Sequence, residues 1–106
     1  MSLKPTQRLK KRYVSFQFKG NFTEEELSRA LYKYSLKFFG EYGLSSRTIK
    51  LIEFSGSKGV LLINRDAVEE TLGMLALISE LEGKPARLIA KRASGTLRAL
   101  REKGNI

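Results

Sequence analysis

Val60-Leu61-Leu62-Ile63 presents apolar side chains to both sides of an extended chain. Successive strand residues point to opposite faces, so this run requires cover above and below and belongs inside a sheet. Its neighbours fit that placement. The run Lys58 to Asn64 follows a second β-rich run, Thr48 to Phe54, and Ser55-Gly56-Ser57 between them reads as a hairpin turn. Near the N-terminus, Val14, Phe16 and Phe18 alternate with Tyr13, Ser15, Gln17 and Lys19, the pattern of a half-covered strand from Arg12 to Gly20-Asn21. Toward the C-terminus, Leu88 and Ala90 alternate with Arg87, Ile89 and Lys91 in the same way.

Two helices separate these strands. Thr23 and Glu26 form a capping box, behind which Leu27, Leu31, Tyr34 and Phe38 recur at helical spacing beside Ala30. This helix is expected to run to about Phe39 and to stop at Gly40 or Gly43, with the aromatic stripe in the core. Asp66 and Glu69 read as a second cap. Val68, Leu72, Leu75 and Ser79 then mark one stripe and Met74, Ile78 and Leu81 another, up to Gly83-Lys84-Pro85. The order is β-α-β-β-α-β followed by a basic helix. That is the α/β arrangement called split βαβ or ferredoxin-like, an antiparallel sheet with two helices on one face. Residues 12–106 are expected to form one such domain, and residues 1–11, basic and interrupted by Pro5, a flexible arm.

The second helix is apolar around much of its circumference. With Leu75, the residues Leu72, Met74, Leu77, Ile78 and Leu81 exceed what one sheet is expected to bury. Part of this surface, these five above all, or the apolar strand Val60–Ile63, is therefore expected to dock a protein partner or a second copy.

Charge is concentrated at the two ends. The net +9 divides into +6 in residues 1–23, −3 in residues 24–82 and +6 in residues 83–106. Such ends suit a polyanion, nucleic acid above all, if they lie close together. A membrane surface is the weaker match, because neither end forms a strongly amphipathic helix with apolar anchors. With no Cys and no His, the chain has no disulfide, thiolate, imidazole base or usual zinc site. No Asp/Glu cluster suggests magnesium, and no cofactor is expected on the chain. No run is long enough to span a membrane, and no signal-peptide core follows the basic N-terminus, so a soluble cytoplasmic protein is expected.

The closing segment, Arg87 to Arg101, reads as a strand, a Ser94-Gly95-Thr96 turn and a helix carrying Arg98 and Arg101 three residues apart. One reading makes it a phosphate grip of helix amides and guanidinium groups; the other makes Ser94 or Thr96 an ordinary cap and the arginines solvated. The topology is shared with RNA-recognition motifs. Lys58-Gly59 followed by Val60–Ile63 opens like their third-strand motif but lacks its stacking aromatics, so charge and shape rather than base stacking would have to carry RNA binding. Acylphosphatase, an enzyme on the same fold, needs a glycine-rich loop with an arginine after the first strand, and Lys19-Gly20-Asn21-Phe22 supplies none. Ser and Thr have no base to activate them. The chain is expected to carry out no chemistry by itself.

Three segments resemble one family in consistent order: Lys10-Lys11-Arg12-Tyr13-Val14-Ser15-Phe16, Asn64-Arg65-Asp66-Ala67-Val68-Glu69, and Ser94-Gly95-Thr96-Leu97-Arg98-Ala99-Leu100. Together they look like archaeal ribonuclease P protein component 2. The resemblance implies a non-catalytic subunit of a ribozyme that trims the 5′ leader from precursor tRNA, with Mg2+ held by the RNA. It implies ribonuclease P RNA and ribonuclease P protein component 3 as partners, precursor tRNA as an indirect one, and a homodimer within a heterotetramer as a further possible assembly. The candidate RNA contacts are Lys10, Lys11, Arg12, Lys91, Arg92, Ser94, Arg98 and Arg101. The simplest strand order is read as keeping the first and last strands apart, which leaves open whether these groups meet. The competing reading is a basic ferredoxin-like interaction scaffold, or a general RNA-binding module.

Overall fold

The computed structural model describes residues 11–45 and 48–102. Four strands form the main sheet: β1 (Lys11–Lys19), β2 (Ile49–Ser55), β3 (Lys58–Asn64) and, late in the chain, β6 (Arg87–Ser94). Their order is β2-β3-β1-β6, and every neighbouring pair is antiparallel. The doubly apolar strand is therefore interior, with Val60, Leu61 and Ile63 each 0% exposed. The first and last strands are direct neighbours, contrary to the expectation drawn from the sequence. Lys19 pairs with Arg87 at one end of β1–β6 and Tyr13 with Ser94 at the other. The chain arm at residues 1–10 and Lys10 within it lie outside the described residues; Lys11 already belongs to β1.

One face of the sheet carries Val14, Phe16, Phe18, Leu61, Ile63 and Leu88, which pack with Leu27, Ala30 and Leu31 of α1 (Glu24–Ser45) and Met74 and Leu75 of α2 (Val68–Ala76). The capping box at the start of α1 is formed as its spacing requires. The Thr23 N–H donates to Glu26 Oε1 at 2.9 Å, and the Glu26 N–H donates to Thr23 Oγ1 at 3.2 Å. Those bonds from Thr23, with Lys84 nearby, hold the Glu26 carboxyl below the usual carboxylate range. The helix breaks at Gly40, whose φ of 75° and ψ of 169° leave the helical region, and then resumes to Ser45. Phe38 departs from the expected core stripe. It is 51% exposed, while Ser35 is buried, its hydroxyl donating to the Leu31 carbonyl at 2.7 Å.

α2 is preceded by a 3₁₀ turn, Arg65–Ala67. The expected cap at Asp66 is absent: Ala67 occupies the cap position, with no side-chain bond to the helix. The helix also ends sooner than its apolar periodicity predicts. After Ala76 the chain enters a small hairpin, β4 (Glu80–Leu81) with β5 (Lys84–Pro85), turning at Glu82-Gly83, both with positive φ. Met74, Ile78 and Leu81 are thus core residues at 0%, 4% and 3% exposure, which corrects their assignment to an open docking surface. The sheet and the hairpin together bury what one helix face could not. Leu72 is partly buried against the same core, and Leu77 alone of the five is largely exposed.

Thr71 in α2 is fully buried, and its hydroxyl has no hydrogen-bond partner among the described residues. An unmet buried hydroxyl costs more than the apolar group that replaces it. Thr71→Val is therefore expected to raise stability by about 1 kcal/mol, read as a higher urea midpoint at unchanged slope. A lower midpoint would contradict this.

The opposite face of the sheet is covered in its middle by α3 (Leu97–Glu102), which packs on β1 and β6. Leu100 is 0% exposed on this helix, and Val60 and Ser15, a cross-strand pair on that face, are 0% and 1% exposed. Among the described residues no helix is long and apolar enough to cross a membrane.

Candidate nucleic-acid interface

Pairing of β1 with β6 sets described basic residues from the two end segments on neighbouring strands. Lys11 and Arg12 open β1, and Lys91 and Arg92 lie exposed on β6, an edge strand. The joint is close. Arg12 Nη1 lies 2.8 Å from the point where a side chain on Gly95 would begin, so the first strand reaches directly to the Ser94-Gly95-Thr96 turn. The strand pair carries a bulge here: Ser15 opposes Arg92, Phe16 opposes Ala90, and Lys91 is the additional residue. Ser15 Oγ fixes the bulge by accepting the Arg92 N–H at 3.2 Å and lying 3.5 Å from the Arg92 carbonyl. A buried serine on β1 thereby sets the backbone beneath two exposed cations on β6.

The turn itself is an ordinary helix start, with the roles of its hydroxyls divided. Thr96 Oγ1 accepts the Ala99 N–H at 3.1 Å and is the cap; among the described residues Ser94 Oγ accepts only the Thr96 N–H, at 3.4 Å. Thr96→Ala should therefore cost about 1 kcal/mol, and Ser94→Ala distinctly less. Chemical denaturation of the two variants measures the difference, and an equal loss in both would contradict the assignment.

Arg101 is held within the domain: it donates to Glu53 Oε1 at 2.6 Å, tying α3 across the sheet to β2. Arg98 lies exposed on the same helix. The sequence reading missed Glu53, which lies 48 positions from its partner and is visible only once β2 and α3 share a face. Lys84 is likewise taken up internally. Its ammonium group donates to the Asn21 carbonyl at 2.9 Å, approaches Glu26 at 3.5 Å and sits 4.2 Å from the centre of the Phe22 ring. Among the described residues Lys11 is bonded to a neutral group, Thr48 Oγ1 at 3.5 Å. Among the described residues no group of three or more Asp or Glu side chains is placed to hold a metal ion.

Chemically this surface offers spaced cations and no stacking platform. α3 occupies the middle of the sheet face where an RNA-recognition motif would present aromatic rings, and Tyr13 at its margin is half-buried.

Comparison with known proteins agrees with the resemblance read from the sequence. The model of the Rpp14/Pop5 family matches residues 6–104. Ribonuclease P protein component 2 of Methanocaldococcus jannaschii is 33% identical over 92% of this chain and 74% of its own length. The protein of the same name from Pyrococcus horikoshii is 34% identical over 96% of this chain and 88% of its own. A chain in a cryo-EM structure of yeast ribonuclease MRP shares the fold, with a TM-score of 0.61 and 11% identity over 90% of this chain and 91% of that one. The chain belongs to the Rpp14/Pop5 family of ribonuclease P protein subunits.

Proposed function

We propose that this chain binds and stabilises the catalytic RNA of ribonuclease P for 5′ maturation of precursor tRNA, without itself cutting the substrate. The observation that carries this reading is the union of the two basic ends through β1–β6. Residues 1–23 and 83–106, each +6, contribute the paired strands, while the −3 segment supplies α1, α2 and the far edge of the sheet. A folded ribozyme packs phosphates against one another and needs counterions to do so. Lys11 and Arg12 on β1, Lys91 and Arg92 on the neighbouring β6, and Arg98 on α3 supply fixed positive charge, displacing condensed cations and lowering the magnesium needed to keep the RNA compact. Mg2+ in this scheme stays on the RNA. Ribonuclease P protein component 3 is the proposed protein partner, and Leu77, 66% exposed, is the member of the apolar helix set left for it to cover.

Reconstitution tests this. The chain alone should cleave no precursor tRNA. Added with component 3 to the catalytic RNA, it should lower the magnesium concentration giving half-maximal cleavage. A magnesium requirement unchanged by the chain, or cleavage by protein free of RNA, would refute the proposal.

A further inference from the structure

We propose that Lys19 and Arg87, at the end of β1–β6 away from the Ser94-Gly95-Thr96 turn, form a second phosphate contact for RNA. This rests on the RNA-binding reading above and extends it to residues outside the Arg12–Arg92 cluster. Lys19 and Arg87 are cross-strand partners in the β1–β6 register, and both are exposed. Like charges directly opposite one another on a strand pair destabilise it. Neither has an ion pair among the described residues. The contrast with Lys84, two residues after the hairpin turn begins, is informative: that lysine is satisfied by a carbonyl, a carboxylate and a ring, whereas Lys19 and Arg87 are left facing each other.

They also border a shaped surface. A cleft of about 390 Å³ is lined by Lys19, Gly20, Ser79, Pro85 and Arg87 over the buried Ile78 and Ala86, with no carboxylate in its lining. The Ala86 N–H donates to the Ser79 carbonyl at 3.1 Å, which fixes the hairpin wall. Gly20 lets the opposite wall close in: a side chain there would begin 2.8 Å from the Phe18 ring and 3.1 Å from the Pro85 carbonyl oxygen. Two cations, a hydroxyl and a floor without acid constitute a site for a phosphate dianion or diester, and bound phosphate would relieve the cross-strand repulsion. Seven positions along β1 separate Arg12 from Lys19, roughly 23 Å at about 3.3 Å per residue. Contacts at both ends of the strand pair would fix the orientation of the RNA as well as its affinity, which one cluster cannot do.

The test measures affinity for a folded archaeal ribonuclease P RNA as a function of salt. The proteins compared are the wild-type chain, Lys19→Gln/Arg87→Gln, the conservative Lys19→Arg, and Arg29→Gln/Lys37→Gln on the exposed side of α1. The paired variant should lose about one unit of the log–log salt slope per lost cation. Lys19→Arg and the α1 pair should keep the wild-type slope, and the paired variant should melt no lower than wild type at low salt without RNA. A steep wild-type slope unchanged in Lys19→Gln/Arg87→Gln would overturn this contact and leave RNA binding standing. An equal loss in the α1 pair would overturn it as an effect of net charge alone. A wild-type affinity that is flat with salt would overturn both this contact and the reading it rests on.

Discussion

Phe16→Ala is expected to remove about 3–5 kcal/mol of folding stability, a large part of the roughly 5–15 kcal/mol that a domain holds in total. Phe16 is 2% exposed at the centre of the sheet face that meets both helices. Its ring stacks on Phe54 at 6.3 Å and 9°, bridging β1 and β2 across the intervening strand. The bridge is possible because β3 carries Gly59 at that register: a side chain there would begin 2.5 Å from the Phe16 ring and 2.7 Å from the Glu53 carbonyl oxygen. With the ring gone, the space over Gly59 has no side chain of its own to fill it, so collapse is limited and the cavity term stays large. Urea denaturation followed by far-UV circular dichroism gives the loss directly. A cost below about 1.5 kcal/mol would mean that the site repacks and that Phe16 is not the keystone of this face.

Leu100→Asp is expected to release α3 from the sheet. Leu100 is fully buried, and the Arg101–Glu53 ion pair that also ties α3 to the sheet has side chains 56% and 37% exposed and therefore contributes little. A carboxylate cannot remain in that position without a partner, but a helix near the end of the described chain can undock instead of burying it. The cost is thereby limited to the docking energy, about 2–5 kcal/mol, the range for losing a buried leucine. Hydrogen exchange should show α3 amides unprotected while β1 and β3 amides keep their protection. Unfolding of the whole sheet would contradict the view that α3 is a cover laid over a core complete on its other face.

How much could be read from the sequence depended on the distance over which each feature is determined. The Thr23–Glu26 box was legible because both bonds lie within one helical turn. Burial of Val60, Leu61 and Ile63 was legible because a run apolar at every position, without the period-two alternation of a half-covered strand, marks an interior one. Strand neighbours were not. Nothing local in residues 11–19 or 87–94 says that they pair, so the union of the basic ends, the basis of the candidate interface, emerged only from the sheet order. The end of α2 was hidden for a related reason. Met74, Ile78 and Leu81 keep helical spacing although the chain has already left the helix, because the β4–β5 hairpin turns Leu81 back into the same core. Asp66 misled as a cap because the chain makes a 3₁₀ turn first and reaches α2 at Ala67, while Asn64, just ahead of that turn, spends its side-chain oxygen on the Thr48 N–H at 2.8 Å. Ser94 and Thr96 are two residues apart in a turn with hydroxyls at both positions, and only the helix register separates cap from bystander.

The central claim is that RNA meets the β1–β6 side of the domain. The helical side offers its own basic row, Arg29, Lys33 and Lys37, four residues apart and exposed on α1. Two triple variants of equal charge therefore decide the matter: Lys11→Gln/Lys91→Gln/Arg92→Gln and Arg29→Gln/Lys33→Gln/Lys37→Gln, each compared with wild type for the salt dependence of binding to folded ribonuclease P RNA. The first should lose about three units of slope, roughly one per phosphate contact, and the second should keep the wild-type slope. Equal losses in the two, or a loss confined to the α1 variant, would contradict the account.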